Sequence, residues 1–159
     1  MFSLVENAKP ISVIAPAAHG SAATGDWISM KNYDKVTFII QTGSVTTGGN
    51  VIIKEAKNVS GSSAATLSFG TFWENTGVGT DTYTQTSADS SGSADCVAIA
   101  NSDDNTVFVV EVRAEQLSDS FDCVTATIPA AFSTCNVGIM AIGHNARYQQ
   151  NSPPTALTN

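Results

Sequence analysis

Basic residues are scarce in this chain: seven Lys and Arg stand against fourteen Asp and Glu, for a formal net charge of −7. No Lys or Arg occurs from Asn58 to Val112, a stretch that holds Glu74, Asp81, Asp89, Asp95, Asp103, Asp104 and Glu111. Nucleic-acid binding draws on Lys and Arg that neutralise phosphates, so nucleic acid is disfavoured as a partner. The flanking segments nearly balance, with five bases and four acids in Met1–Lys57 and two bases and three acids from Arg113 onward. One part of the surface is therefore expected to be strongly anionic.

Other absences narrow the field further. Three cysteines, Cys96, Cys123 and Cys135, are an odd number without the close pairing of a structural zinc site, and each lies beside apolar residues. They read as buried small hydrophobes in a reduced chain rather than a disulfide framework. Nothing approaches 18 consecutive apolar residues, and Met1-Phe2-Ser3-Leu4-Val5-Glu6 lacks the basic start of a signal peptide, so neither membrane spanning nor export is expected. Charged residues make up only 13 % of the 159 while hydrophobic ones make up 42 %, the reverse of a disordered composition. A chain of this size is expected to form one domain that buries about two thirds of its surface.

No amphipathic helical period of three turns is present, and what remains reads as strands. Lys35–Gly43 is rich in β-branched residues and stops at glycine; Asn50–Ala56 follows at hairpin distance, so the two are expected to pair antiparallel. Leu67, Phe69, Thr71 and Trp73 alternate and are expected to share one face. A Thr/Ser/Gly/Asp segment runs from Glu74 to Ala94, with Thr82–Thr86 a short strand candidate. Two strands then flank Ser102-Asp103-Asp104, the second placing Phe108, Val110 and Val112 on one face and Glu111 and Arg113 on the other. Glu115–Ser118 reads as one helical turn, and Phe121–Ile128 and Cys135–Ile142 as the last strands. About eight short strands with glycine-rich turns predict an all-β sandwich or barrel. Residues 1–25, with Pro10 and Pro16, are expected to form an extended N-terminal arm, 26–148 the β-domain, and 149–159 an extended polar tail.

Candidate chemistry is sparse. The two histidines, His19 and His144, are far apart in the chain, and no Gly-X-Ser-X-Gly elbow occurs. Asp89–Asp95 and Asp103-Asp104-Asn105 gather oxygen ligands but lack the EF-hand spacing, so they read as solvated loops. Glu55, Glu74 and Glu111 are the carboxylates that a glycosidase reading would have to bring together. Trp27, Trp73, Tyr83 and Tyr148 read as core or interface anchors, with carbohydrate stacking as the alternative. The chain is therefore expected to be no enzyme and to need no cofactor or metal. Its expected interface residues are Ile11, Val13 and Ile14 of the arm, which have no helix to bury them, together with Trp27 and Tyr148.

The stretch His19–Ile40, with Trp27 and Tyr33 at its centre, resembles the opening of small all-β structural proteins of tailed-bacteriophage heads. The closing Ala146-Arg147-Tyr148 and Pro153-Pro154-Thr155-Ala156-Leu157 add to the likeness, and together these segments cover roughly a quarter of the chain. The family so resembled is that of head decoration, or cement, proteins. The resemblance implies a jelly-roll-like fold, a homotrimer, and a virion location on the capsid exterior bound to a major capsid protein, after synthesis in the host cytoplasm. A tail or neck component and a carbohydrate-binding module are the alternatives. On this reading, deleting Met1–Ala18 is expected to leave the domain folded while weakening association; the alternative is that Ile11–Ile14 is the first strand of the sheet, and the deletion then unfolds the domain.

Overall fold

The computed structural model describes residues 4–89, 95–129, 135–146 and 155–157. After a single helical turn, α1 (Leu4–Asn7), the chain enters β1 (Lys9–Ala18), β2 (Ala23–Thr24), β3 (Ile28–Ser29), β4 (Tyr33–Val45) and β5 (Gly49–Ala56). Then follow β6 (Ala65–Thr66), β7 (Thr71–Asn75), β8 (Thr84–Ser87), β9 (Cys96–Ile99) and β10 (Val107–Arg113). A 3₁₀ turn (Ala114–Gln116), β11 (Cys123–Ile128) and β12 (Cys135–Ala146) complete the set.

The strands form two open antiparallel sheets. Sheet one runs β1-β12-β4-β10-β7-β8; sheet two runs β2-β11-β5-β6, with β3 beside β2 along β11 and β9 beside β6 along β5. Taking β2 with β3 as one position, the chain alternates between layers except at β5 and β9, which pair within sheet two: β1, β4, β10 and β12 lie in sheet one, and β2/β3, β5, β9 and β11 in sheet two. Eight positions with this alternation are two Greek keys wound together, a jelly-roll sandwich rather than a closed barrel. The segment β6–β8 is an insertion between β5 and β9, and it widens sheet one by two strands.

This alternation corrects the expected β4–β5 hairpin. The two strands do not pair: β4 lies between β12 and β10, while β5 lies between β11 and β9. Each strand has an apolar inner side, Val36, Phe38 and Ile40 on β4 and Val51 and Ile53 on β5, all buried. Placing them in opposing sheets closes one core between them, which a hairpin within one sheet would not do. The crossing is tied by Gly48 N–H donating to Asn101 Oδ1 (2.7 Å) and by Val45 N–H donating to Asp104 Oδ1 (2.6 Å).

The predicted face of Leu67, Phe69, Thr71 and Trp73 is also broken. Leu67 and Phe69 are buried, but so is Phe72, while Thr71 and Trp73 are exposed. Gly70 has φ +70°, and there the chain turns out of sheet two and into sheet one. That turn, which glycine adopts without strain, resets the alternation. Phe72 then meets Phe108 edge-on in the core, with ring centroids 5.9 Å apart.

The N-terminal segment is extended as expected, yet it lies within the sandwich. Strand β1 pairs along β12 with Ile11 opposite Ala141 and Ile14 opposite Ile139, and Ile11, Val13 and Ile14 are only 8, 7 and 5 % exposed. This corrects the expectation of an arm that offers these residues to an interface: β1 is the edge strand of sheet one, and the sandwich buries them. Part of the C-terminal segment docks as well, since Ala156 is buried and its carbonyl accepts the Ser29 N–H at 2.6 Å.

Candidate binding surfaces

Of the residues expected at an interface, Ile11, Val13 and Ile14 belong to the core just described. Trp27 is half-buried, with its indole against Gly61 in the loop after β5. A methyl group on Gly61 would sit 2.5 Å from Trp27 Nε1, so Trp27 serves packing. Tyr148 lies outside the described residues.

The acidic candidates are tied into loops. Asp103 Oδ2 accepts the Ala100 N–H at 2.6 Å, and its carbonyl accepts the Thr42 hydroxyl at 2.5 Å. Asp95 Oδ2 accepts three donors, Ser68 Oγ (2.6 Å), Gly70 N–H (2.9 Å) and Phe69 N–H (3.0 Å), and so fixes the crossing from sheet two into sheet one. The Ser68 hydroxyl above all, with Gly70 N–H next, holds this carboxyl below its ordinary pKa against a smaller opposing effect of burial. Among the described residues no group of three or more His, Cys, Asp and Glu converges as a metal site would need.

The three glutamates do not meet. Glu55 is buried in sheet two, accepting from Ser118 N–H (2.8 Å) and Ser118 Oγ (2.6 Å). Glu74 stands opposite Phe108 on β7; burial raises its pKa, and the nearby Asp103 adds to that. Glu111 is on the outside of sheet one, bonded to Lys35 Nζ at 2.8 Å. All three cysteines are buried and outside any disulfide. Burial first, then Asp122, pushes the Cys123 thiol up to about 12, so it is not a thiolate nucleophile at neutral pH. Burial first, then Lys35, lowers the pKa of His144.

What the structure does assemble is a row across the outer face of sheet one. Ser12 faces Met140, Met140 faces Ile39, Ile39 faces Val109, Val109 faces Trp73, and Trp73 faces Gln85. Six strands at their ordinary separation make this row about 24 Å long. Met140 is 47 % exposed and Trp73 41 % exposed. The two ends differ in chemistry. At the β1 end, Pro16, Ile39 and Met140 border an apolar groove of about 380 Å³ that Gly43 and Gly138 also line. At the β8 end, Trp73 stands in a polar cleft of about 410 Å³ with Gln85, Glu111, Arg113, Glu115 and Gln116.

Sequence reasoning missed Met140, Ile39 and Val109. The signal for Val109 was present: once Phe108, Val110 and Val112 are assigned inward, Val109 is an apolar residue on the side that carries Glu111. Ile39 was hidden in the unbroken run Phe38-Ile39-Ile40, where alternation cannot be read.

No protein-family model matches the chain, and no curated protein matches it. Among solved structures, it is similar to the SPBc2 prophage-derived protein YomS, at 8 % identity and TM-score 0.46, with 90 % of this chain and 97 % of that one covered. It is also similar to the PRD1 vertex protein P5, at 10 % identity and TM-score 0.34, covering 89 % of this chain and 99 % of that one. A structure of infectious bursal disease virus, Gt strain, follows at 10 % identity and TM-score 0.22, with 87 % of this chain and 37 % of that one covered. None of the three reaches a TM-score of 0.5, and none bears on what the chain does.

Proposed function

We propose that the protein is a non-enzymatic structural component of a bacteriophage virion that binds and stabilises the capsid exterior. The observation that carries this reading is the apolar groove at the β1 end of sheet one, where Met140 and Ile39 stand on the outer face. A solvent-facing sheet surface is ordinarily polar, and a concave apolar surface there fits a partner. The segments that resemble head decoration proteins support the same reading, as does the jelly-roll sandwich. In this arrangement the groove faces a major capsid protein, while the acidic insertion side, with Glu74, Asp81 and Asp89, faces solvent. A repeating capsid lattice would make individually weak contacts effective through multivalency.

Homotrimers are the oligomeric state proposed with this role. Sheet one ends on β8, whose Thr84, Gln85 and Ser87 are exposed and uncharged, an edge that ordinarily needs covering. Light scattering tests the trimer directly.

The capsid reading is tested by mixing purified protein with capsids that lack it and sedimenting them. Wild type is expected to cosediment and to raise capsid melting temperature. Met140→Lys, at an exposed position, is expected to keep its own melt and lose cosedimentation. Wild type that remains in the supernatant would overturn the reading, and a label confined to the tail would replace it with a tail or neck role.

A further inference from the structure

The geometry points to the Trp73 cleft as a binding site for a neutral saccharide, a role that does not depend on the capsid reading. Trp73 is exposed on a strand of the widened sheet, with Val109 on one side and Gln85 on the other in the same cross-strand row. An indole exposed in a cleft offers a flat apolar platform to the C–H face of a sugar ring, with a large contact area for little entropy loss.

The groups around the platform match hydroxyl pairs. The Gln85 and Gln116 amides, the Glu111 and Glu115 carboxylates and the Arg113 guanidinium are all planar, and each presents two adjacent polar atoms. Several are already held in place. Gln116 Oε1 accepts the Arg113 N–H at 2.7 Å, and Gln85 Nε2 donates to Thr71 Oγ1 at 3.4 Å. Lys35 holds Glu111 at 2.8 Å. Recognition of a small polar ligand by an aromatic wall and a few placed polar groups in a concave site is the general form of such pockets.

Charge selects the sugar class. Among the described residues, the cleft's Arg113 stands 3.4 Å from Glu115, and Lys35 is paired with the cleft's Glu111, so each of these cations already faces a carboxylate and offers little to a sulfated or carboxylated sugar. The net charge of −7 repels one further. The same balance disfavours a nucleotide, whose base would otherwise stack on the indole. The site is open, so a single ring is held weakly, and several copies acting on a repeating glycan would be needed for tight capture.

The experiment applies the full chain to immobilised mannan, amylose, cellohexaose and chitohexaose, with heparin and polysialic acid as acidic counterparts. Any neutral glycan that binds is then titrated in solution against the indole NMR signals. The expected result is binding to at least one neutral glycan and to neither acidic one, with a perturbed Trp73 signal. Trp73→Ala is expected to weaken binding at least tenfold, Gln85→Ala by a smaller factor, and Trp27→Ala not at all. A preserved thermal melt confirms that the variants fold; should Trp73→Ala not fold, Gln85→Ala and Gln116→Ala carry the test. Binding to none of the neutral glycans, preference for an acidic one, or equal binding by folded Trp73→Ala would overturn the proposal.

Discussion

Two carboxylates show how single residues hold the sandwich crossings together. Asp95 collects three donors at the point where β6 gives way to β7, and those bonds favour its charged form. Its folded pKa therefore lies below the unfolded value of about 3.9. The stability it contributes is fully present above that value and is lost as pH falls through the folded pKa. Asp95→Ala is expected to melt a few degrees below wild type at pH 6, with the gap closing as pH drops below about 4. Paired melts at pH 6 and pH 3 check this, and a gap unchanged between them would refute the linkage. Glu55 is the more deeply buried of the two, at 3 % exposure, and removing it leaves Ser118 N–H and Oγ without their acceptor. Glu55→Ala is expected to cost about 1–3 kcal/mol in a urea titration.

Strands were easier to read from the sequence than their partners were. The alternation of Phe108, Val110 and Val112 specifies an inward face, and the structure buries all three. Pairing is different, because a jelly roll sends consecutive strands to opposite layers, and short spacing alone then looks like a hairpin. The three residues between Val45 and Gly49 cross the sandwich instead of folding back within one sheet. Likewise, Gly70 hides a change of face that only its positive φ reveals, and it turns Trp73 outward into the polar cleft. The cleft was legible as one aromatic residue among four. Its polar companions come from β8, β10 and the 3₁₀ turn, and only the fold brings those together.

Strand β1 carries the sharpest consequence at this scale. Full burial of Ile11, Val13 and Ile14 contributes about 1.5–3 kcal/mol each, or about 5–9 kcal/mol together. That is of the order of a whole domain's stability, about 5–15 kcal/mol. Deleting Met1–Ala18 is therefore expected to abolish the cooperative melt, the opposite of what an independent arm would show. A deletion variant that still melts cooperatively near the wild-type temperature would return the segment to the role of an arm.

At the scale of the whole molecule, charge is sorted along the chain and hence across the fold. All five lysines lie in Met1–Lys57, while the stretch 58–112, which includes the insertion, carries Glu74, Asp81, Asp89 and Asp95 and holds no Lys or Arg. Copies held side by side on a capsid would present these acids to one another, and each copy brings a net charge of −7. Between copies at such distances the repulsion is exposed to solvent and screened by salt, with a Debye length of about 30 Å at 0.01 M and about 10 Å at 0.1 M. The attachment proposed here is apolar, through the groove beside Met140, and apolar contacts do not weaken over that range. Raising ionic strength from low to physiological is therefore expected to increase capsid occupancy at saturation, with little loss of affinity at sparse occupancy. Sedimentation of capsids at several protein ratios and two salt concentrations separates these terms. A steep loss of binding with salt, even at sparse occupancy, would instead show that the acidic side faces a basic capsid surface and would invert the proposed orientation.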